Sequence, residues 1–137
     1  MKPKRTPRTT KKSNRNPLEE IIEKIISSAT EVYSRLGPGL LENVYDEALA
    51  HEFTLRRIPF ERQKEIKFTY KGKELGWYRV DYLVEDEILV ELKTVEALQG
   101  VHETQLSTYL AALNKKVGLL INFNAGRLKD GIKRLVL

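Results

Sequence analysis

The chain has no cysteine. Disulfides and cysteine-ligated zinc or iron–sulfur centres are therefore excluded, and a reducing cytoplasm is the expected compartment. No apolar run approaches the roughly 20 residues needed to span a bilayer, and the N-terminus has no apolar segment of signal-peptide type. No membrane association is expected. There is no glycine-rich phosphate loop, no histidine cluster of zinc spacing and no Ser-His-Asp pattern. The first 16 residues contain no acid. They carry Lys2, Lys4, Arg5, Arg8, Lys11, Lys12 and Arg15, so against a net charge of +5 for the chain the remainder is net −2. With prolines at 3, 7 and 17, residues 1–16 read as a disordered basic tail. Such a tail either holds phosphates in a salt-dependent way or serves only as a solubilising extension.

What is present is one domain, residues 17–137, large enough for a core without staples. Apolar residues from Leu18 to Leu36 recur at helical spacing, with Pro17 suited to the first turn and Gly37 to the cap. Residues 40–57 read as a second helix ending before Pro59. The pattern then changes to strands at Phe60–Tyr70, Lys73–Val84 and Ile88–Lys93, the first two joined by a turn at Lys71-Gly72. A third helix is expected over about 101–114. A fourth, wholly apolar strand follows at Val117–Phe123, then the loop Asn124-Ala125-Gly126 and a last strand at Ile132–Leu137. A short helical turn fits within Leu128–Arg134. The order α-α-β-β-β-α-β-β, with a parallel crossover from the third strand to the fourth, predicts a mixed α/β sheet flanked by helices.

The third strand and its neighbour carry the chemistry. Asp81 lies in one, and Glu91 and Lys93 in the other, amid residues that should be buried. A buried carboxylate or ammonium costs several kcal/mol unless it is paired or metal-bound. Side chains alternate along a strand, so Leu89, Glu91 and Lys93 share one face and Ile88, Val90 and Leu92 the other. A two-residue loop at Glu85-Asp86 would place Asp81 and Glu91 on opposite faces. A three-residue loop, Glu85-Asp86-Glu87, sets them opposite one another, so a shared metal site demands that loop or a bulge. Asp81 and Glu91 would then hold Mg²⁺ or Mn²⁺, and Lys93 would orient a water or stabilise a phosphorane. The competing reading is a salt bridge of Lys93 with Glu91 or Asp81.

Asp81 followed by Glu91-Leu92-Lys93 resembles the PD-(D/E)XK nuclease signature, with Val80 where the variable proline often stands. Gly39-Leu40-Leu41-Glu42-Asn43-Val44-Tyr45 is similar to the G-x-x-E-x-x-Y motif of the GxxExxY family within that superfamily. The resemblance covers about residues 18–137, including Ile121-Asn122-Phe123 and Gly131-Ile132-Lys133-Arg134. It implies a PD-(D/E)XK-like fold, a divalent-metal-dependent phosphodiesterase activity and a nucleic-acid substrate, with DNA favoured. It also implies that Glu42 assists the metal from the helix before the sheet. Otherwise Glu42 is a first-turn acid favoured by the helix dipole. Tyr45 shares its face and reads as a packed tyrosine that orients a neighbour. Gln105 and Tyr109, four apart on the third helix, resemble the Q-x-x-x-Y motif of RecB-like nucleases and would line the site. His102, one turn earlier, is a phosphate or metal neighbour or a solvated helix-end histidine. Arg79, two residues before Asp81, is expected on its face, either against a phosphate or neutralising the acids. Trp77 and Tyr78 stack on bases, or Trp77 is core or a dimer contact. Lys129, Lys133 and Arg134 read as a solvated basic face. The alternative to a nuclease is a non-catalytic nucleic-acid- or partner-binding module on the same fold. A domain this small has little surface to grip a duplex, which leaves a homodimer open.

Overall fold

The computed structural model describes residues 16–137. The basic tail assigned to 1–16 therefore lies outside the described residues, except for Asn16. That residue belongs with the domain. Its Oδ1 accepts a hydrogen bond from Leu18 N at 2.9 Å and caps helix α1, Pro17–Leu36. Proline at the first helical position, acids at Glu19 and Glu20 and an asparagine cap together explain why the helix starts here. Ile21, Ile22, Ile25, Ala29 and Val32 form its buried stripe. Gly37 ends it, its N–H bonding Tyr33 O.

Helix α2, Glu42–Leu55, is shorter at both ends than the expected 40–57. Leu41 is extended (φ −71°, ψ 152°), which excludes Leu40 and Leu41 from the helix. At the other end Arg57 adopts φ +59°, and Ile58 N bonds back to Phe53 O, turning the chain before Pro59.

Five strands follow: β1 Phe60–Tyr70, β2 Lys73–Val84, β3 Ile88–Lys93, β4 Val117–Asn122 and β5 Ile132–Val136. Helix α3, Gly100–Leu113, sits between β3 and β4, and a short 3₁₀ turn, Leu128–Gly131, precedes β5. The sheet order is β1-β2-β3-β4-β5. Only the β3–β4 pair is parallel, as the crossover required. The acid-bearing β3 is thus central. Helices α1 and α2 cover one face, with Ile25, Leu49 and Phe53 packing in one core with Tyr82, Val90, Leu92 and Ile121. Helix α3 covers the other through Leu106, Tyr109 and Leu110, against Leu83, Leu89 and Leu120.

The β2–β3 loop has three residues. Val84 pairs with Ile88, Leu83 with Leu89 and Tyr82 with Val90, and Glu85 and Asp86 take φ of +50° and +60°. A second irregularity was not expected. Tyr82 and Val84 pack under α1 and α2, whereas Val80 packs with Leu83 under α3. The alternation of β2 therefore slips by one at Asp81. On β1, Phe60 lies on the α1–α2 side while Ile66 and Phe68 lie on the α3 side. Gln63, at the matching position, takes φ +55°, and Gln63 and Asp81 drop out of a pairing that is regular on either side. Both strands turn over at this point.

Candidate active site

The slip decides where the acids go. The β2–β3 ladder stops at Tyr82–Val90, one step before Asp81 and Glu91. Beyond it, side chains replace backbone partners. Asp81 N donates to Glu91 Oε1 at 2.7 Å, and Leu92 N donates to Asp81 Oδ2 at 2.8 Å. The two carboxylates thus occupy the fork where the strands part. Lys93, on the Glu91 face, has its Nζ 4.0 Å from Glu91 Oε2, with side-chain exposures of 21% and 12%.

Few cations offset this charge. Burial, then the charge of Asp81, pushes the Glu91 carboxyl up to about 8, against the opposing hydrogen bond from Asp81 N and the Lys93 ammonium. Burial likewise raises Asp81, opposed first by its bond from Leu92 N and then, after the charge of Asp46 has added to the rise, by Lys93 and the Gln63 side chain. Glu42, at the start of α2, is raised by burial and by the charge of Asp81. Three acids therefore sense one another around one ammonium.

Tyr45 holds Glu42 in place. Its hydroxyl donates to Gly37 O and accepts from Leu40 N at 3.2 Å, and its ring stacks on Phe123 at 4.6 Å. It is fully buried, a packed tyrosine that pins the loop delivering Glu42. The motif's glycine also has a reason: Gly39 adopts φ +99°, which a side chain resists.

Tyr109 packs on the α3 side of the sheet with Leu83 and Leu89. Its hydroxyl is pushed up to about 12, by burial first and then by the charge of Glu91. Its ring lies 5.5 Å from that of Tyr78. Gln105 is half-buried one turn earlier on α3.

Other expectations need correction. His102 is a capping residue: its Nδ1 accepts from Gln99 N at 2.9 Å while the Gln99 side chain accepts from the His102 backbone N–H. Arg79 does not follow Asp81, because the slip breaks the i, i+2 rule; its guanidinium instead lies 4.5 Å over the Trp77 ring. Trp77 is half exposed and so not core. Asp81 and Glu91 meet through each other's strand amides rather than as a directly facing pair. Among the described residues, no three acidic or histidine side chains converge as a group able to hold a metal, so Asp81, Glu91 and Glu42 are not assembled into one. The carboxylates are turned onto amides instead.

Sequence reasoning missed three further residues. Asp46 accepts from the Tyr82 hydroxyl and pairs with Arg62 at 3.0 Å, and its charge raises Asp81. Its spacing of four from Glu42 was a usable signal. Gln63, whose side chain opposes the rise of the Asp81 carboxyl, had none, since nothing in its type announces a positive φ. Asn122, buried on β4 beside Lys93, ties Val95 N and O to the sheet through its own amide.

A family model described as the PD-(D/E)XK nuclease superfamily matches residues 19–135. The crystal structure of SSO0001 is similar, with 20% identity and a TM-score of 0.52, over 86% of this chain and 58% of that one. At that identity the likeness concerns the fold alone, and the chain spans less than two thirds of SSO0001. No curated protein matches. No helix among the described residues is long and apolar enough to cross a membrane.

Proposed function

The chain belongs to the PD-(D/E)XK nuclease superfamily, and from that premise we propose that it is a divalent-metal-dependent nuclease hydrolysing phosphodiester bonds in DNA. Within the superfamily, the spacing of Gly39, Glu42 and Tyr45 supports a reading as a member of the GxxExxY family. The observation that carries the reading is the pair of half-buried acids at the fork, Asp81 and Glu91, both raised first by burial, with Lys93 Nζ 4.0 Å from Glu91 Oε2.

The donor chemistry fits Mg²⁺ or Mn²⁺: carboxylate oxygens, half-buried, with a deficit of cations. Asp81 and Glu91 would hold the ion, with Glu42 adjoining. Bound there, it supplies Lewis acidity toward the phosphate and an acidified water. Lys93 places a compact positive charge where the phosphorane gains negative charge. Tyr109 keeps its proton at neutral pH and donates its O–H toward a phosphate oxygen. Gln105 lines the same face one turn away. Asn122 fixes the strand end next to Lys93, and Tyr45 holds the Glu42 loop.

One observation favours the second reading, a non-catalytic binding module. The carboxylates of Asp81 and Glu91 already satisfy strand amides, so they have a structural use without metal. A panel of labelled single- and double-stranded DNA and RNA, with Mg²⁺, Mn²⁺ or EDTA, separates the two. Metal-dependent cleavage supports the nuclease. Binding unchanged by EDTA, with no cleavage, supports the module.

A further inference from the structure

The β1–β2 hairpin runs well past its contact with β3, which ends at Tyr82. Its distal half, residues 64–80, has five cations (Lys64, Lys67, Lys71, Lys73, Arg79) and two acids, while residues 16–137 as a whole are net negative. On this arm Tyr70, Leu75, Trp77 and Tyr78 are each more than half exposed. That much exposed apolar surface on one element marks a contact site. Leu75 is left unpaired by the bulge between Phe68 and Thr69, and Gly76 beside it takes φ +147°. The result is a recess of ≈ 260 Å³ lined by Phe68, Leu75, Gly76, Trp77 and Tyr78.

We propose that this arm is a stacking platform for the unpaired bases of a single-stranded nucleic acid, leading the strand into the site along Phe68, Tyr78 and Tyr109. The proposal rests on the nuclease reading for what happens at the end of that path. The three rings touch in sequence, Phe68 and Tyr78 edge to face at 6.2 Å and Tyr78 and Tyr109 tilted at 5.5 Å; Tyr78 offers the exposed ring and Tyr109 is buried at the inner end. Tyr109 in turn packs against Leu83 and Leu89, on the two strands that carry Asp81 and Glu91. Cations interleave with the aromatics: Arg79 lies over Trp77, and Lys71 Nζ is 5.4 Å from the Tyr70 ring. Rings that present a face beside a positive charge suit bases joined by phosphates. A duplex keeps its base faces stacked internally and offers none to these rings. A second copy of the chain would set one positive arm against another, and lysines at 64 and 67 on the edge strand β1 oppose strand-to-strand pairing.

Trp77 is the sole tryptophan and lines the recess next to Tyr78, so intrinsic emission reports on the arm. The full chain in EDTA is titrated with an oligothymidylate and with a duplex of equal length. Saturable quenching by the single strand and little by the duplex is expected. Tyr78→Ala should weaken single-strand binding roughly tenfold, the loss of about one stacked base, and Tyr78→Phe should retain it. Equal quenching by duplex overturns the proposal. So does binding, seen by anisotropy, that leaves Trp77 emission unchanged. A concentration-dependent shift of that emission without nucleic acid, with a dimer in sedimentation, gives the surface to a second copy and also overturns it. Because no metal is present, the outcome is separate from cleavage. Loss of the Trp77 response with cleavage intact removes the platform alone, and a full response with no cleavage under any metal removes the nuclease alone.

Discussion

Replacing Glu91 by glutamine should make the metal-free protein more stable at alkaline pH. The folded carboxyl sits near 8, against an ordinary 4.5. Between those values the folded state holds a proton that the unfolded chain has released. Stability therefore falls as pH rises from about 4.5 and levels off above about 8. Below 4.5 both states are protonated and the penalty vanishes. At 1.36 kcal/mol per pH unit the span corresponds to on the order of 5 kcal/mol for one proton. Relaxation of the splayed strands and water reaching the fork lower this, so about 2 kcal/mol or more should survive. Glutamine keeps an acceptor for Asp81 N and has no proton to lose. Urea unfolding in EDTA from pH 5 to 9 gives the comparison. The wild type should lose stability across the window, and Glu91→Gln should lose markedly less. Adding Mn²⁺ should flatten the wild-type curve by mass action and leave the variant's unchanged. Parallel curves for the two proteins in EDTA would refute the claim that Glu91 is ionised at a cost.

Three other outcomes are expected. Tyr45→Phe keeps the stack on Phe123 but loses the clamp on Gly37 and Leu40, so it should cost about 1–3 kcal/mol in thermal unfolding and reduce cleavage through Glu42. His102→Ala removes a capping interaction and should cost about 1 kcal/mol of stability with cleavage retained; abolished cleavage in a folded variant would return His102 to the site. Deleting residues 1–15, which spares the Asn16 cap, should leave the melting temperature unchanged while lowering nucleic-acid affinity and its salt dependence; a large drop in melting temperature would make the tail structural.

Much of this architecture could be read from the sequence because periodicity and turn chemistry agreed. The apolar stripe of α1, the Lys71-Gly72 turn and the all-apolar β4 each left a local signature. A meeting of Asp81 with Glu91 required a three-residue loop or a bulge, and the ladder from Val84–Ile88 to Tyr82–Val90 has the register of the three-residue loop. What could not be read was the slip at Asp81. Alternation assumes an unbroken pleat, and a positive φ at Gln63 breaks it without any glycine to give warning. The error then spread to Arg79, placed by counting across the break. The sequence leaves His102 between a site neighbour and a helix-end histidine for another reason. A histidine near a helix start serves equally as cap or ligand, and only its bond from Gln99 N distinguishes them. The role of Tyr45 was legible as packing, yet its partners at Gly37 and Leu40 depend on how the loop folds back.

The central claim is that the fork of Asp81 and Glu91, with Lys93, cuts phosphodiester bonds with a divalent metal. Cleavage of end-labelled single-stranded and duplex DNA, in Mn²⁺ and in EDTA, by wild type and by Asp81→Asn tests it most directly. Asparagine keeps an acceptor for Leu92 N, so the fold should persist, as circular dichroism would verify. The account predicts cleavage by the wild type in Mn²⁺, none in EDTA, and a loss of roughly a hundredfold or more in the variant. Cleavage by Asp81→Asn at the wild-type rate, or a wild type that cuts neither substrate in Mn²⁺, would contradict it.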